Sequence, residues 1–155
     1  MRQRRYHLNP NYAVKVKEEI DKLLRVGFIQ PVKRATWLNP TGVLPIKNDK
    51  IRVFVDYRKL NVATIPDAFS LPFTNRVLDA VLGHEIYSFL DGFNGYNQVQ
   101  MHLDDQENTA FVIEWGVFVA LVMMFGLKTT PTTFQRVIQE IFCILYTGIY
   151  ASISR

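Results

Sequence analysis

Gly42-Val-Leu-Pro-Ile46, Lys47-Asn-Asp-Lys50 and Ile51-Arg-Val-Phe-Val-Asp-Tyr57 read as two strands joined by a polar tip. The apolar runs are short and β-branched, and the break between them is made of turn-forming residues, so the stretch predicts a β-hairpin with a basic tip. On its amino side, residues 11–26 place Val16, Ile20, Leu23 and Leu24 at helical spacing. Lys15, Lys17, Glu18, Glu19, Asp21 and Lys22 fill the opposite face. This is an amphipathic helix, with Gly27 as its stop. Phe28 to Val32 adds a further short strand.

On the carboxyl side, Tyr57 to Phe73 shows no regular pattern, and Pro66 and Pro72 exclude a long helix there. Thr74 opens a short helix over Asn75–Leu82 that Gly83 ends, and Ile86 to Leu90 forms a strand running into Asp91. Thr109–Glu114 and Val117–Met123 flank Trp115-Gly116 as another hairpin. Pro131 begins a helix to about Phe142 that turns Phe134, Val137, Ile138, Ile141 and Phe142 inward. The order α-β-β-β-α-β-β-β-α predicts an α+β fold, an antiparallel sheet with packed helices, over a doubly wound one.

The chain has 155 residues, a length expected of one domain. Its formal charge of +4 favours a polyanionic partner without proving one. A single cysteine, Cys143, closes no internal disulfide. The basic start, Met1-Arg-Gln-Arg-Arg, lacks the apolar core of a signal peptide. The longest apolar run, Val117 to Phe125, is far short of the roughly 20 residues a membrane helix needs. An intracellular protein, cytoplasmic or nuclear and not secreted, with no membrane partner, is expected.

Asp91 stands where an apolar strand runs out, followed by Gly92, Phe93, Asn94, Gly95 and Tyr96. The glycines let the backbone turn beside the carboxylate and an aromatic ring, an arrangement suited to a metal with a ligand stacked nearby. Asp104-Asp105, in His102-Leu-Asp-Asp-Gln-Glu107, reads as solvated acids of a polar turn between strands.

Several blocks resemble one family in this order: Leu23-Leu-Arg-Val-Gly27-Phe-Ile29, Lys47 to Asn61, Tyr87-Ser-Phe-Leu-Asp91-Gly-Phe-Asn-Gly-Tyr96, Thr109-Ala-Phe111, and Met124-Phe-Gly126 to Gln135. Singly they are weak signals. Together, from about Asn9 to about Phe142, they resemble the reverse-transcriptase domain of gypsy-type long-terminal-repeat retrotransposons, most nearly those of plants. The resemblance implies the fingers and part of the palm of a right-handed polymerase. Residues 1–68 and 99–124 would be fingers-like, and 69–98 and 125–155 palm-like.

The resemblance further implies that Arg52, with Lys47 assisting, contacts the phosphates of an incoming deoxynucleotide, a task an arginine fork suits. Taken alone, Lys47, Lys50 and Arg52 read as solvated charges on a hairpin. Asp91 would be a catalytic aspartate binding Mg2+ together with the carbonyl of Gly92, both hard oxygen ligands. Tyr96 would support the sugar and fill the space of a 2′-hydroxyl; from spacing alone it is a core aromatic. Phe125 and Gly126 would pack beside nucleotide and template, and Phe125 reads equally as core.

The family's Tyr-x-Asp-Asp hairpin would fall near Ile149-Tyr-Ala-Ser-Ile-Ser-Arg155, which holds no acid. The expectation is therefore a truncated reverse-transcriptase region whose partners are RNA/DNA template-primer and deoxynucleotides, and which performs no polymerisation itself. A non-catalytic nucleic-acid-binding remnant, a small interaction domain and a functionless pseudogene product are the alternatives.

Overall fold

The computed structural model describes residues 10–46, 51–71, 79, 82–83, 85–86 and 95–153, and the side chains of the last helix as far as Cys143. The amphipathic helix forms as α1 (Pro10–Arg25), with Val16 and Ile20 fully or nearly buried. Gly27, at φ 73°, ends it. The Phe28 N–H returns to the Leu23 carbonyl at 3.0 Å and the Gly27 N–H to Leu24 at 3.1 Å, closing orphan carbonyls of the last turn.

Five strands follow: β1 (Ile29–Val32), β2 (Asn39–Pro45), β3 (Ile51–Val55), β4 (Phe111–Ile113) and β5 (Gly116–Ala120). They form one sheet in the order β1-β5-β4-β2-β3. Both expected hairpins are present, β2 with β3 in the register Val43↔Val53 and β4 with β5 in the register Phe111↔Phe118. The sheet of this α+β fold is mixed, because β2 and β4 run parallel over Asn39↔Phe111 and Pro40↔Val112. They belong to different hairpins, so no tight turn constrains them to run antiparallel.

Asn39 fixes that junction. Fully buried, it donates from Nδ2 to the carbonyls of Asn108 (3.0 Å) and Ala110 (2.9 Å), and its Oδ1 accepts from Trp37 Nε1 (3.0 Å). Thr41 Oγ1 adds a 2.6 Å bond to the Val112 carbonyl. The core lies between α1 and the sheet, where Val16, Ile20, Ile29, Phe111, Ile113 and Phe118 cluster. Phe111 and Phe118 stack at 5.9 Å across the strand pair. Burying each such side chain contributes about 1.5–3 kcal/mol.

The stretch after Tyr57 is not wholly irregular. α2 (Arg58–Ala63) forms there, and the prolines lie beyond it. The Asp56 carboxylate accepts the Arg58 N–H at 3.1 Å at the helix start, and buried Leu60 anchors it. Six residues are too few to display a helical period in sequence. Residues 65–71 then run without regular structure, with Asp67 held to Arg136 at 3.1 Å. Most of the expected 75–82 helix and of the 86–90 strand lies outside the described residues.

A 3-10 turn (Gly95–Gln98) precedes α3 (Leu103–Gln106), so Asp104 and Asp105 stand on a helical turn, not a plain loop. They are exposed, as expected of solvated acids. α4 (Thr130–Ile153) runs well past Phe142, since no proline follows Pro131 to break it. Phe134, Val137 and Ile138 are half-buried, but Ile141 (48 % exposed) and Phe142 (52 %) face outward. Among the described residues no helix is long and apolar enough to cross a membrane.

Candidate functional site

β3 is an edge of the sheet, and its alternation builds the site. Ile51, Val53 and Val55 lie half-buried against the core, which leaves Arg52 and Phe54 exposed on the other side. A cleft of about 610 Å3 opens along this strand. Glu19 and Ile20 of α1 line one end; Tyr57, Asn97, Met124 and Phe125 line the other. Among the described residues, Arg52 and Glu19 are the charged ones that line it. A mostly apolar cleft with a guanidinium on its wall suits a ligand with a flat body and an anionic end.

Aromatic side chains shape the far end. Tyr96, half-buried in the 3-10 turn, meets Phe125 edge-on at 5.0 Å and Phe134 of α4 at 5.2 Å. Gly95 allows this, because a Cβ there would lie 2.5 Å from Phe134 Cζ. Phe125 is 70 % exposed, which corrects its reading as a core residue. Beside Tyr96, Asn97 Oδ1 is buried and, among the described residues, takes no hydrogen bond. A buried acceptor of this kind is one that a ligand donor or a water satisfies.

Gly126 follows Phe125 at φ +96°, a backbone conformation that L side chains rarely adopt. A Cβ there would lie 3.6 Å from the Tyr57 ring. Burial holds the Tyr57 phenol above its ordinary pKa, so its hydroxyl stays protonated and donates to the Thr109 carbonyl at 3.4 Å. Next to it, Arg58 forks onto Asp56 with Nε to Oδ1 at 2.9 Å and Nη2 to Oδ2 at 2.6 Å. That hydrogen-bonded guanidinium holds the Asp56 carboxyl below its usual value.

From α2, Asn61 reaches the same turn. Its Nδ2 donates to the Gly126 carbonyl and its Oδ1 accepts the Lys128 N–H, both at 2.8 Å.

Of the residues singled out from sequence, Arg52 and Phe125 therefore share one cleft. Tyr96 abuts Phe125, and Gly126 forms the adjoining turn. Lys47, Asp91 and Gly92 lie outside the described residues. Among the described residues no three His, Cys, Asp or Glu side chains are grouped to hold a metal ion. Asp104 instead keeps its N–H on His102 Nδ1 at 3.3 Å, as part of a helix cap. Sequence reasoning gave no role to Asn97 or Asn61, since an isolated amide carries no sign of its tertiary partner.

Residues 44–153 match the family described as reverse transcriptase (RNA-dependent DNA polymerase), past the point near Phe142 where the sequence resemblance fades. The chain is 31 % identical to the retrovirus-related Pol polyprotein from transposon 297 of Drosophila melanogaster, over 92 % of this chain and 14 % of that protein. It is 31 % identical to the Pol polyprotein from transposon gypsy of the same fly, over 81 % of this chain and 13 % of that protein. To the transposon Tf2-3 polyprotein of Schizosaccharomyces pombe it is 33 % identical, over 89 % of this chain and 10 % of that protein. The chain thus spans a small part of each relative's length.

Among solved structures, the native protease-reverse transcriptase of prototype foamy virus superposes with a TM-score of 0.76 at 24 % identity, covering 89 % of this chain and 18 % of that one. A foamy viral protease-reverse transcriptase in complex with an RNA/DNA hybrid gives 0.72 at 21 % identity, with the same coverage. At such identities the likeness speaks for the fold, and the sequence matches carry the family. This chain belongs to the reverse transcriptase (RNA-dependent DNA polymerase) family and corresponds to a stretch of that domain as retrotransposon polyproteins carry it.

Proposed function

We propose that this chain is the nucleotide- and template-holding part of a gypsy-type, plant-like retrotransposon reverse transcriptase, working inside the cell in the cytoplasm or nucleus. The observation that carries the reading is the convergence of Arg52 and Phe125 on one cleft with Tyr96 behind them. Arg52, with Lys47, holds the phosphates of a deoxynucleotide. Tyr96 supports the sugar and fills the space of a 2′-hydroxyl, while Phe125 and Gly126 pack beside base and template. Residues 1–68 and 99–124 act as fingers, and 69–98 and 125–155 as palm.

Polymerases of this kind work with divalent metal ions, which stabilise charge on the attacking and leaving oxygens. Asp91 and the Gly92 carbonyl would hold Mg2+, their hard oxygens matching its preference. Two ions need several acidic ligands, and Asp91 is the one catalytic acid the resemblance assigns in this sequence. This stretch would bind RNA/DNA template-primer and deoxynucleotide, and the purified chain, taken by itself, is expected not to join them.

The test uses an RNA–DNA hybrid with a chain-terminated primer and a fluorescent mant-dATP opposite a templating uracil. The purified chain should bind mant-dATP saturably with Mg2+, and Arg52→Ala should weaken binding by about tenfold, the loss of one charge-assisted contact. Binding of hybrid should also weaken as salt rises, because counterions released from the backbone drive it. Unchanged affinity in Arg52→Ala overturns the phosphate assignment. Extension of an unblocked primer by this chain alone overturns the absence of chemistry.

A further inference from the structure

Phe125 is placed by its backbone, since its side chain is largely exposed and meets Tyr96 only by an edge. The turn that carries it is gripped from two sides. Beneath Gly126 lies the buried Tyr57 ring. Across it lies Asn61, whose carboxamide exchanges a donor and an acceptor with Gly126 and Lys128, much as two paired strand residues exchange theirs. Both bonds are solvent-exposed, so they contribute little to overall stability. Their geometric effect is larger. Asn61 is itself fixed, because its N–H donates to the Tyr57 carbonyl at 2.7 Å in the first turn of α2. Tyr57, just before α2, and Asn61, within it, thus touch the Phe125 turn from two sides.

We propose that Asn61 is a positioning residue: it sets where Phe125 stands against Tyr96, and so sets how sharply the cleft distinguishes a deoxynucleotide from a ribonucleotide. The inference rests on the nucleotide reading above. Without the clamp, Gly126 and Lys128 are free to shift, Phe125 moves off the Tyr96 edge, and the Tyr96 ring loses its edge contact with a residue that lines the cleft. Phe134 then remains as its neighbour on the other side.

Two substitutions separate positioning from folding. Asn61→Leu keeps the size and removes both bonds; Asn61→Asp keeps the acceptor for the Lys128 N–H and removes the donor to Gly126. The first measurement is amide hydrogen exchange at Lys128 without nucleotide, which should speed by about tenfold or more in Asn61→Leu and less in Asn61→Asp. The second is the ratio of affinities for mant-dATP and mant-ATP on the blocked hybrid. That ratio should fall several-fold in Asn61→Leu, with Asn61→Asp between it and the unmodified chain, while the melting midpoint moves by no more than about 3 °C.

Unchanged exchange at Lys128 overturns the clamp whatever the nucleotide result. A large drop in melting midpoint with both affinities falling in parallel makes Asn61 merely structural, and also overturns the proposal. Failure of the unmodified chain to bind either nucleotide, with Lys128 exchange still altered by Asn61→Leu, removes the nucleotide reading and the selectivity role that depends on it. A deoxy-to-ribo ratio that survives in Asn61→Leu removes the selectivity role alone.

Discussion

The two ends of the cleft hold their residues by different means. At the α1 end, Val16 and Ile20 meet Phe111 and Phe118 in a buried cluster, and shape alone fixes each side chain. At the Phe125 end, an exposed ring is kept in place by a glycine turn, an aromatic edge and a carboxamide clamp. The first arrangement is strong because it excludes water. The second leaves atoms facing outward, where a ligand can reach them. Stability and recognition thus meet along one strand, with Ile51, Val53 and Val55 of β3 packed on the buried cluster and Arg52 exposed among the residues that line the cleft.

The contrast is open to direct challenge by substitution, read as unfolding free energy from denaturant melts. Phe111→Ala should have the largest effect, about 3–5 kcal/mol, because it empties the centre of the buried cluster. A cost below 1.4 kcal/mol, less than tenfold in the folding constant, would mean the α1 end is not the stabilising one. Gly95→Ala should cost about 1–3 kcal/mol, since the added methyl meets Phe134 and that ring must move. It should also loosen nucleotide binding, because the Tyr96 ring that meets Phe125 packs on the same Phe134.

Arg58→Ala should have the smallest effect, below about 1 kcal/mol, because the pair with Asp56 is solvent-exposed at Arg58 and screened by salt. Its pH dependence has a definite sign. The Asp56 carboxyl titrates lower in the folded chain than its ordinary 3.8, so its contribution is present above that value. It fades as the pH falls through the lowered folded value. Arg58→Ala should reduce that acid-side slope, leaving the part that the residue-58 N–H and Lys59 contribute; an unchanged slope would assign it to another carboxylate.

The periodic elements were legible in sequence because packing writes a period into it. Val16, Ile20, Leu23 and Leu24 declare α1, and the alternation of Ile51, Val53 and Val55 declares β3. α2 was not legible, because a helix anchored by Leu60 alone repeats nothing. The parallel pairing of β2 with β4 was hidden for a related reason: register between distant segments is set by Asn39 and Thr41 reaching carbonyls on β4 and the residues just before it, and a sequence does not name its partners. Around the cleft, Arg52 and Tyr96 were singled out through motif resemblance, not through pattern. Phe125 could be named but not placed, since an exposed phenylalanine and a core one are spelled alike.

The Asn39 junction also dictates a temporal order. Its side-chain amide bonds a carbonyl 71 residues further along the chain. As a ribosome releases the chain from its amino end, α1 and the β2–β3 hairpin can form from local contacts. The sheet, however, cannot close until β4 has emerged, and until then one long edge of β2 stays unpaired. The nascent chain therefore passes through a stage in which Asn39, Thr41 and the apolar face of the hairpin are open to solvent and to other chains. That interval, set by the distance between two strands and not by any weakness of the finished core, is when this protein is most exposed to misassembly.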